Sequence, residues 1–334
     1  MTPSRHTLTL SAVAAAALAV AGFVVAARFG NGISPTLDIL RDASRPWLAL
    51  ALLGFGCAFA CTVGAWRAAL ASAGGRVCLR QTAARIAIGS LVNSFAPAKI
   101  GDAVKIALCA RAIGAPDRVW TTGGAYAGLA ATRALTLAAL VVAASAAGAM
   151  PLWPVFALAG GAAVVAIAAA TSTRLRGHRR LTTLFAAAGR LARSPRDLGT
   201  VLAWCAGMQL SRVGGAAAVA TAFGVPHPFL AALVILPALD LAGTVPLTPG
   251  SIGVGSGAVA VALASRGIGM LQAIAVGFAI QGVETLVSIG CGTLGIAYLA
   301  QPSPRVRRIA ARAALVGASA TLAAVVGFAF LDLF

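Results

Sequence analysis

The sequence predicts an all-helical, polytopic integral membrane protein. Of its 334 residues, 60% are hydrophobic and only 10% are charged, which excludes an ordinary soluble domain and a disordered chain. The apolar residues form segments long enough to cross about 30 Å of hydrocarbon. The net charge of +18 lies in short arginine clusters between those segments. This arrangement is typical of positively charged cytoplasmic loops, and we expect no nucleic-acid partner.

Seven apolar segments have the length of a transmembrane helix: 8–29, 47–70, 119–148, 151–173, 198–223, 268–300 and 313–333. The first of them follows Arg5 and His6 and could also be a signal peptide. Its apolar run is longer than a usual signal core, and no clear cleavage site follows it, so we expect a retained first helix. The whole chain, 1–334, is then a single transmembrane domain.

Two further apolar segments, 86–113 and 229–266, are each interrupted near the middle by proline and glycine. The interrupting residues are Pro97 and Gly101 in the first segment, and Pro246, Pro249, Gly250 and Gly253 in the second. Each arm would be a helix of roughly 20 to 27 Å, which crosses the hydrocarbon only with difficulty. We therefore interpret both segments as re-entrant hairpins.

The placement of arginine agrees with this count. With a cytoplasmic N-terminus, four basic clusters fall on the cytoplasmic side, within 67–85, 111–118, 174–196 and 305–312. Because the positive-inside rule is then obeyed, we predict a multi-pass plasma-membrane protein with a cytoplasmic N-terminus and an extracytoplasmic C-terminus. In the basic loop 174–197, residues 178–196 are amphipathic, and we expect them to lie on the anionic inner leaflet.

The predicted elements form a repeat. Units 47–148 and 198–300 each contain a span, a hairpin and a second span. Because a single predicted span separates the units, the second would be inserted upside down, as in many secondary transporters. Two motifs align between the units: Pro-Ala-Lys-Ile-Gly at 97–101 with Pro-Gly-Ser-Ile-Gly at 249–253, and Arg-Ala-Ile-Gly at 111–114 with Arg-Gly-Ile-Gly at 266–269.

The tips of the hairpins are predicted anion sites. Thr248 can cap a helix that begins at Pro249, which leaves the backbone donors of Gly250 and Ser251 free. Pro97 can open the equivalent helix in the first hairpin. A helix N-terminus carries partial positive charge and free N–H groups, so each tip would favour a phosphate near the middle of the membrane.

Both lysines of the chain lie beside the first tip. Lys99, Asp102 and Lys105 follow one another at three-residue steps, so they share one face of a helix. The lysines would add positive charge to an anion site. The alternative is that the three side chains form a local ion pair that reaches the cytoplasmic surface.

Four ionisable residues are predicted deep in apolar segments: Arg133, Arg212, Asp240 and Glu284. Each would cost roughly 3 kcal/mol at the bilayer centre unless it is paired or functional. One interpretation assigns the arginines to substrate binding. The other pairs Arg133 with Glu284 and Arg212 with Asp240 only to hold helices together. Asp240 or Glu284 is also a candidate for proton coupling.

These residues resemble the membrane region of the lysylphosphatidylglycerol synthases, a flippase-like family. The similar positions are Asn93, Pro97, Lys99, Gly101, Asp102, Lys105, Arg133, Pro246, Pro249, Gly250, Ser251 and Gly253. The resemblance covers roughly residues 8–333. Thr132 and Ser256 stand where the family usually has glutamate, Ser251 replaces a glycine, and Glu284 stands where a basic residue is expected.

The resemblance implies a lipid-translocating domain in a stand-alone form without the aminoacyltransferase domain. We therefore expect a flippase or transporter that binds an anionic lipid headgroup, phospho- or polyprenyl-phosphate-linked, between the two hairpins. The expected substrate-binding residues are Asn93, Pro97, Lys99, Gly101, Asp102, Lys105, Arg133, Arg212, Thr248, Pro249, Gly250, Ser251 and Gly253. The expected proton-coupling or ion-pair residues are Asp240 and Glu284.

Other functions stay open at this point. An intramembrane lipid-modifying enzyme would need a carboxylate or histidine near the bound phosphate and often a divalent metal, and its deep candidates are Asp102, Asp240 and Glu284. A membrane subunit would instead partner a separate lipid synthase or glycosyltransferase. The three histidines lie in predicted loops or at the terminus, so we expect no metal site, no cofactor and no catalytic histidine. A homo-oligomer is compatible with the sequence.

Overall fold

The computed structural model describes residues 39–75, 77–96, 100–114, 117–150, 156, 160, 179–243 and 253–299. In these residues the regular structure is helical, which confirms the predicted fold class. The described residues form the helices α1 Arg45–Ser72, α2 Leu79–Phe95, α3 Ile100–Ala110, α4 Arg118–Ala146, α5 Arg179–Arg193, α6 Pro195–Ala222, α7 Pro228–Ala242, α8 Val254–Ala264 and α9 Met270–Leu299.

Three of these helices, α1, α4 and α9, are long and apolar enough to cross a membrane. They coincide with the predicted spans 47–70, 119–148 and 268–300. Helix α6 matches the predicted span 198–223 and has 28 residues, as α1 does, but it is less apolar. The predicted spans 8–29, 151–173 and 313–333 lie outside the described residues, apart from two helical positions at 156 and 160.

The start of α6 shows how the sequence sets a helix boundary. Ser194 is the N-cap, and its hydroxyl accepts a hydrogen bond of 3.3 Å from the backbone N–H of Asp197. Pro195 occupies the first turn, where its missing N–H has no cost, and the carboxylate of Asp197 lies near the positive end of the helix dipole. These signals separate α6 from α5.

Both interrupted segments are pairs of short helices, as their proline and glycine content predicts. The first pair is α2 and α3, and the second is α7 and α8. Helix α8 begins at Val254, and its N-cap, Gly253, has φ of 93°, a conformation that glycine adopts readily. The helix start predicted at Pro249 lies outside the described residues.

Helices α1 and α6 form an antiparallel pair at the centre of the bundle. Gly54 of α1 faces Gly215 of α6, and a Cβ at Gly54 would lie only 2.9 Å from the Cα of Gly215. Farther along α1, Gly64 contacts the indole ring of Trp204, near the start of α6. Small residues therefore allow close backbone approach, which is how membrane helices gain packing energy.

Two apolar cores lie at opposite ends of the α1–α6 pair. One core joins α2, α3 and α4 to the second half of α1 and the first half of α6. It includes Trp66, Leu70, Ile86, Cys109, Leu129 and Val201. The other joins α7 and α8 to the first half of α1, the second half of α6 and the first half of α9, and includes Phe55, Val219, Ile235, Leu236, Leu263 and Val276. The short helix pairs thus lie toward opposite ends.

The helices before and after α5 correspond in order and length. Helices α1 to α4 have 28, 17, 11 and 29 residues, and α6 to α9 have 28, 15, 11 and 30. Their contacts correspond as well: α2 packs on α3 and α9, whereas α7 packs on α8 and α4. The lengths and neighbours in the first group therefore recur in the second.

Helix α5 is the amphipathic segment predicted at 178–196. Its apolar face packs on α4, where Gly124 and Gly128 make room for Ala187 and Leu191, both of which are buried. Phe185 is 54% exposed. The position of this helix on a leaflet stays a prediction.

Candidate functional site at the middle of the helix bundle

A polar cavity of about 280 Å³ lies among α1, α4, α6 and α9. Its polar lining consists of Thr62, Arg133, Arg212, Glu284 and Ser288. These residues lie near the middle of their helices, which have 28, 29, 28 and 30 residues. The cavity is therefore about equally far from both ends of the bundle, between the two apolar cores, where charge is most costly.

Arg212 joins three helices at this cavity. Its Nη1 donates to both carboxylate oxygens of Asp240 on α7, each at 2.9 Å, and its Nη2 lies 3.5 Å from Oε1 of Glu284 on α9. A weaker hydrogen bond of 3.4 Å runs from Nη1 to Gln209 on the preceding turn of α6. Because Arg212 is only 9% exposed, its pairing with carboxylates offsets the cost of burying its charge.

Arg133 faces the same cavity from α4. In the described part of the chain, no ion pair joins its guanidinium to a carboxylate, whereas Arg212 is paired twice. Its charge acts electrostatically on Glu284 across the cavity and on Lys105 on the other side. The alternative pairing of Arg133 with Glu284 is therefore not the one observed, because Glu284 pairs with Arg212.

A second polar cavity of about 210 Å³ lies between α2 and α9. Apart from Glu284, the described residues that line it are uncharged: Ser90, Asn93, Ser94, Gln281, Thr285 and Ser288. Their spacing of three and four residues places each set on one face of its helix. Glu284 and Ser288 line both cavities, so the uncharged cavity adjoins the charged one at Glu284.

Asp102 is the centre of a third polar group. It accepts hydrogen bonds of 2.9 Å from Nδ2 of Asn93, from Nζ of Lys105 and from the hydroxyl of Tyr126. Lys105 is only 9% exposed, and the Tyr126 ring stacks on Trp66 with centroids 5.2 Å apart. The local ion pair considered for this lysine therefore exists, but it is buried and connects α2, α3 and α4.

Several predicted site residues lie outside the described residues: Pro97, Lys99, Thr248, Pro249, Gly250 and Ser251. Of the remaining ones, Gly101 packs so closely on the Gly89 carbonyl and on Asn93 that a Cβ would overlap both. Gly253 caps α8. The described residues thus bring Arg133, Arg212 and Glu284 together at one cavity, with Asp240 as the further partner of Arg212.

Thr132 and Ser256, where the resemblance would place glutamate, are buried and satisfied locally. Thr132 donates to the Gly128 carbonyl at 2.9 Å, and Ser256 donates to the Gly253 carbonyl at 3.3 Å. Both side chains are 2% exposed. Neither position contributes a charge to the site.

Sequence reasoning missed most of the uncharged polar residues. Tyr126, Gln209 and Gln281 were not predicted as site residues, and neither were the serines and Thr285 of the second cavity. A signal was present, because polar residues that recur every three or four positions in an apolar helix mark one face. Within the described residues, no group of three histidine, cysteine or acidic side chains is placed to hold a metal ion.

Comparison with known proteins identifies the family. No curated protein matches the chain. The family model described as the lysylphosphatidylglycerol synthase TM region matches residues 11–292, which include all nine named helices except the end of α9. The chain is thus a membrane protein with a lipid-related role, and it belongs to the family of the lysylphosphatidylglycerol synthase transmembrane region.

Proposed function

We propose that the protein is a lipid flippase or transporter that binds an anionic lipid headgroup at the central cavity and moves it across the membrane. One observation carries the proposal: two arginines face a polar cavity halfway along four long helices. Charges at this depth are costly and usually mark a substrate or ion pathway. A lipid phosphate is the anion that a membrane supplies in quantity, and arginine binds phosphate through paired N–H donors.

The two arginines would have different roles. Arg133 has no carboxylate partner among the described residues, so its guanidinium is available to a phosphate. Arg212 is held by Asp240 at 2.9 Å and more loosely by Glu284 at 3.5 Å. Asp240 orients Arg212 toward the cavity, and a phosphate oxygen would take the place of Glu284 beside Nη2. The headgroup is then bound between α4 and α6.

The proposal includes an inverted repeat. The matching helix lengths and contacts, together with hairpin-like pairs at opposite ends of the α1–α6 pair, support two units inserted in opposite directions. In this arrangement α2–α3 and α7–α8 are re-entrant hairpins that enter from opposite leaflets. Rocking of one unit against the other would expose the cavity to each leaflet in turn, while the lipid tails stay in hydrocarbon.

The proposal also includes an orientation in the plasma membrane. The basic residues near α5 and at the ends of α2 and α4 support a cytoplasmic position for that end of the bundle. The exposed apolar side chain of Phe185 and the basic face of α5 fit the surface of an anionic leaflet.

The test is lipid movement by the purified full chain in sealed phosphatidylcholine vesicles. A trace of phosphatidylglycerol with an NBD-labelled tail reports its leaflet, because dithionite bleaches only the outer leaflet. Transport predicts that bleaching exceeds the half expected for a static bilayer, and that the lipid recovered afterwards is chemically unchanged. Bleaching that stops at half would refute the proposal, and a modified lipid would favour an enzyme.

Arg133→Gln is the decisive variant. We expect it to slow movement of the labelled lipid at least about tenfold, because a hydrogen bond to a charged group contributes about 1.5–3 kcal/mol. Arg133→Lys should retain part of the rate, since the charge remains but the paired donors are lost. Arg118→Gln removes an exposed arginine from the start of the same helix and serves as the control. Equal rates in Arg133→Gln and Arg118→Gln would contradict the site.

A further inference from the structure

Glu284 separates two cavities of different chemistry. On one side lies the charged cavity with Arg133 and Arg212, and on the other the uncharged cavity lined by hydroxyl and amide groups. The lipid headgroup proposed above requires only the charged one. The second cavity, which adjoins the same carboxylate between α2 and α9, has no role in that proposal.

We propose that Glu284 is a proton-binding site and that the protein carries a proton together with each anionic headgroup. This rests on the proposed lipid transport and adds its energy source. The proton reaches Glu284 through the uncharged cavity, and the lipid phosphate reaches Arg212 through the charged one. The two ligands therefore arrive from different sides of one carboxylate.

The geometry distinguishes Glu284 from Asp240. Asp240 holds Arg212 with both carboxylate oxygens at 2.9 Å, whereas a single oxygen of Glu284 lies 3.5 Å away. The shorter, two-point contact is the stronger one. Glu284 is thus the partner that is exchanged. When its carboxylate takes a proton, its attraction for Nη2 of Arg212 is lost, and that N–H becomes available to a phosphate oxygen.

The charges around Glu284 support one proton per headgroup. Arg133 faces it from α4, Arg212 from α6 and Asp240 from α7, while α2 contributes only Ser90, Asn93 and Ser94 of the uncharged cavity. The charges of the two arginines and the two carboxylates sum to zero. The negative charge of a bound headgroup and the positive charge of a proton on Glu284 also cancel each other. The site is therefore neutral in both states, which minimises the cost of charge in the membrane.

The uncharged cavity is suited to conduct the proton. Its volume of about 210 Å³ is several times the roughly 30 Å³ that a water molecule occupies, so it has room for several waters. Ser90, Ser94, Thr285 and Ser288 line it with hydroxyl groups. Serine and threonine hydroxyls both donate and accept, so they can connect a chain of waters to Glu284.

The experiment places a pH difference across the vesicles described above. The purified full chain is reconstituted with NBD-labelled phosphatidylglycerol as probe and with pyranine in the lumen. We expect the labelled lipid to accumulate on the more alkaline side until its ratio between leaflets changes about tenfold per pH unit, since one proton accompanies each lipid. Pyranine should report protons that enter with the lipid. Leaflet ratios are read by dithionite at a common final pH.

Glu284→Gln should abolish the dependence of the leaflet ratio on the pH difference, because a neutral amide binds no proton. Asp197→Asn removes a carboxylate at the start of α6, far from the cavity, and should keep the full dependence. In detergent, the apparent affinity of the wild type for the labelled lipid should fall about tenfold per pH unit above the range in which Glu284 titrates. The affinity of Glu284→Gln should not fall, a result that holds even if this variant moves no lipid.

The outcomes separate the two proposals. A wild type that moves the lipid but ignores the pH difference overturns the proton site and leaves the flippase standing. A Glu284→Gln variant that follows the pH difference as the wild type does overturns the assignment to Glu284. A wild type that moves no lipid overturns both.

Discussion

Arg212 shows how a single charge is accommodated in the middle of the bundle. Its pairing with Asp240 could be hypothesised from the sequence, because an isolated arginine and an isolated aspartate in apolar segments each need a partner. The additional contact to Glu284 could not be hypothesised from the sequence, because many residues separate α6 from α9 and only the packing of the helices brings the two side chains together. The same holds for Tyr126, which reaches Asp102 across 24 positions of sequence.

Asp240→Ala should destabilise the protein strongly. It leaves the nearly buried Arg212 with the longer contact to Glu284 and the weak hydrogen bond to Gln209, and removal of one partner of a buried pair costs about 3–5 kcal/mol. Thermal unfolding in detergent can be followed with a thiol-reactive dye, because Cys109 and Cys205 are fully buried and become reactive on unfolding. Asp197→Asn is the control. A melting temperature for Asp240→Ala equal to that of the control would contradict this role.

At the scale of helices, composition predicted where the apolar segments are interrupted. Proline and glycine located both interruptions, and α7 and α8 lie on either side of the second one. The helix start predicted at Pro249, from a capping threonine followed by proline, lies outside the described residues. Gly253, which caps α8, has φ of 93°, a conformation that propensity alone does not predict.

Gly54→Ala should loosen the packing of α1 on α6. The added methyl group would lie 2.9 Å from backbone atoms of Gly215, which cannot move away as a flexible side chain can. Overpacking of this kind typically costs about 1–3 kcal/mol. The expected result is a lower melting temperature in the thiol-reactivity assay, through earlier exposure of Cys205.

The matched control for this change is Gly56→Ala. Gly56 lies two residues farther along the same helix, about 200° around its axis from Gly54, and a Cβ there meets nothing within 4 Å. It should leave the melting temperature unchanged or raise it slightly, because alanine favours the helix over glycine. The α1–α6 contact would be unimportant for stability if both variants melted alike.

At the scale of the whole molecule, the distribution of polar residues explains why the site lies where it does. The two apolar cores contain the short helix pairs, and Arg133, Arg212 and Glu284 lie between these cores at the middle of the long helices. Sequence predicted that the four ionisable residues lie deep in apolar segments, because hydropathy reports depth along a helix. It could not assign Arg133, Arg212 and Glu284 to one cavity, because that requires the relative rotation of α4, α6 and α9, which packing determines.

The inverted repeat makes a prediction about topology. Gly114 follows α3, and Gly269 precedes α9, so they occupy corresponding places in the two units, at the end of the aligned Arg-x-Ile-Gly motifs. If the units are inserted in opposite directions and both helix pairs are re-entrant, these two positions lie on opposite sides of the membrane. A parallel repeat, or a pair that crosses once, would place at least one of them elsewhere.

Cysteine labelling decides between these arrangements. Gly114→Cys and Gly269→Cys are mild changes, because a Cβ at either position meets nothing within 4 Å. In intact cells expressing a cysteine-depleted chain, a membrane-impermeant maleimide should label the cysteine at 269 and not the one at 114, since the basic residues near α3 favour the cytoplasm. Opening the cells should make both reactive. Labelling of both positions, or of neither, in intact cells would rule out the inverted arrangement, and with it the access to the central cavity from each leaflet that transport requires.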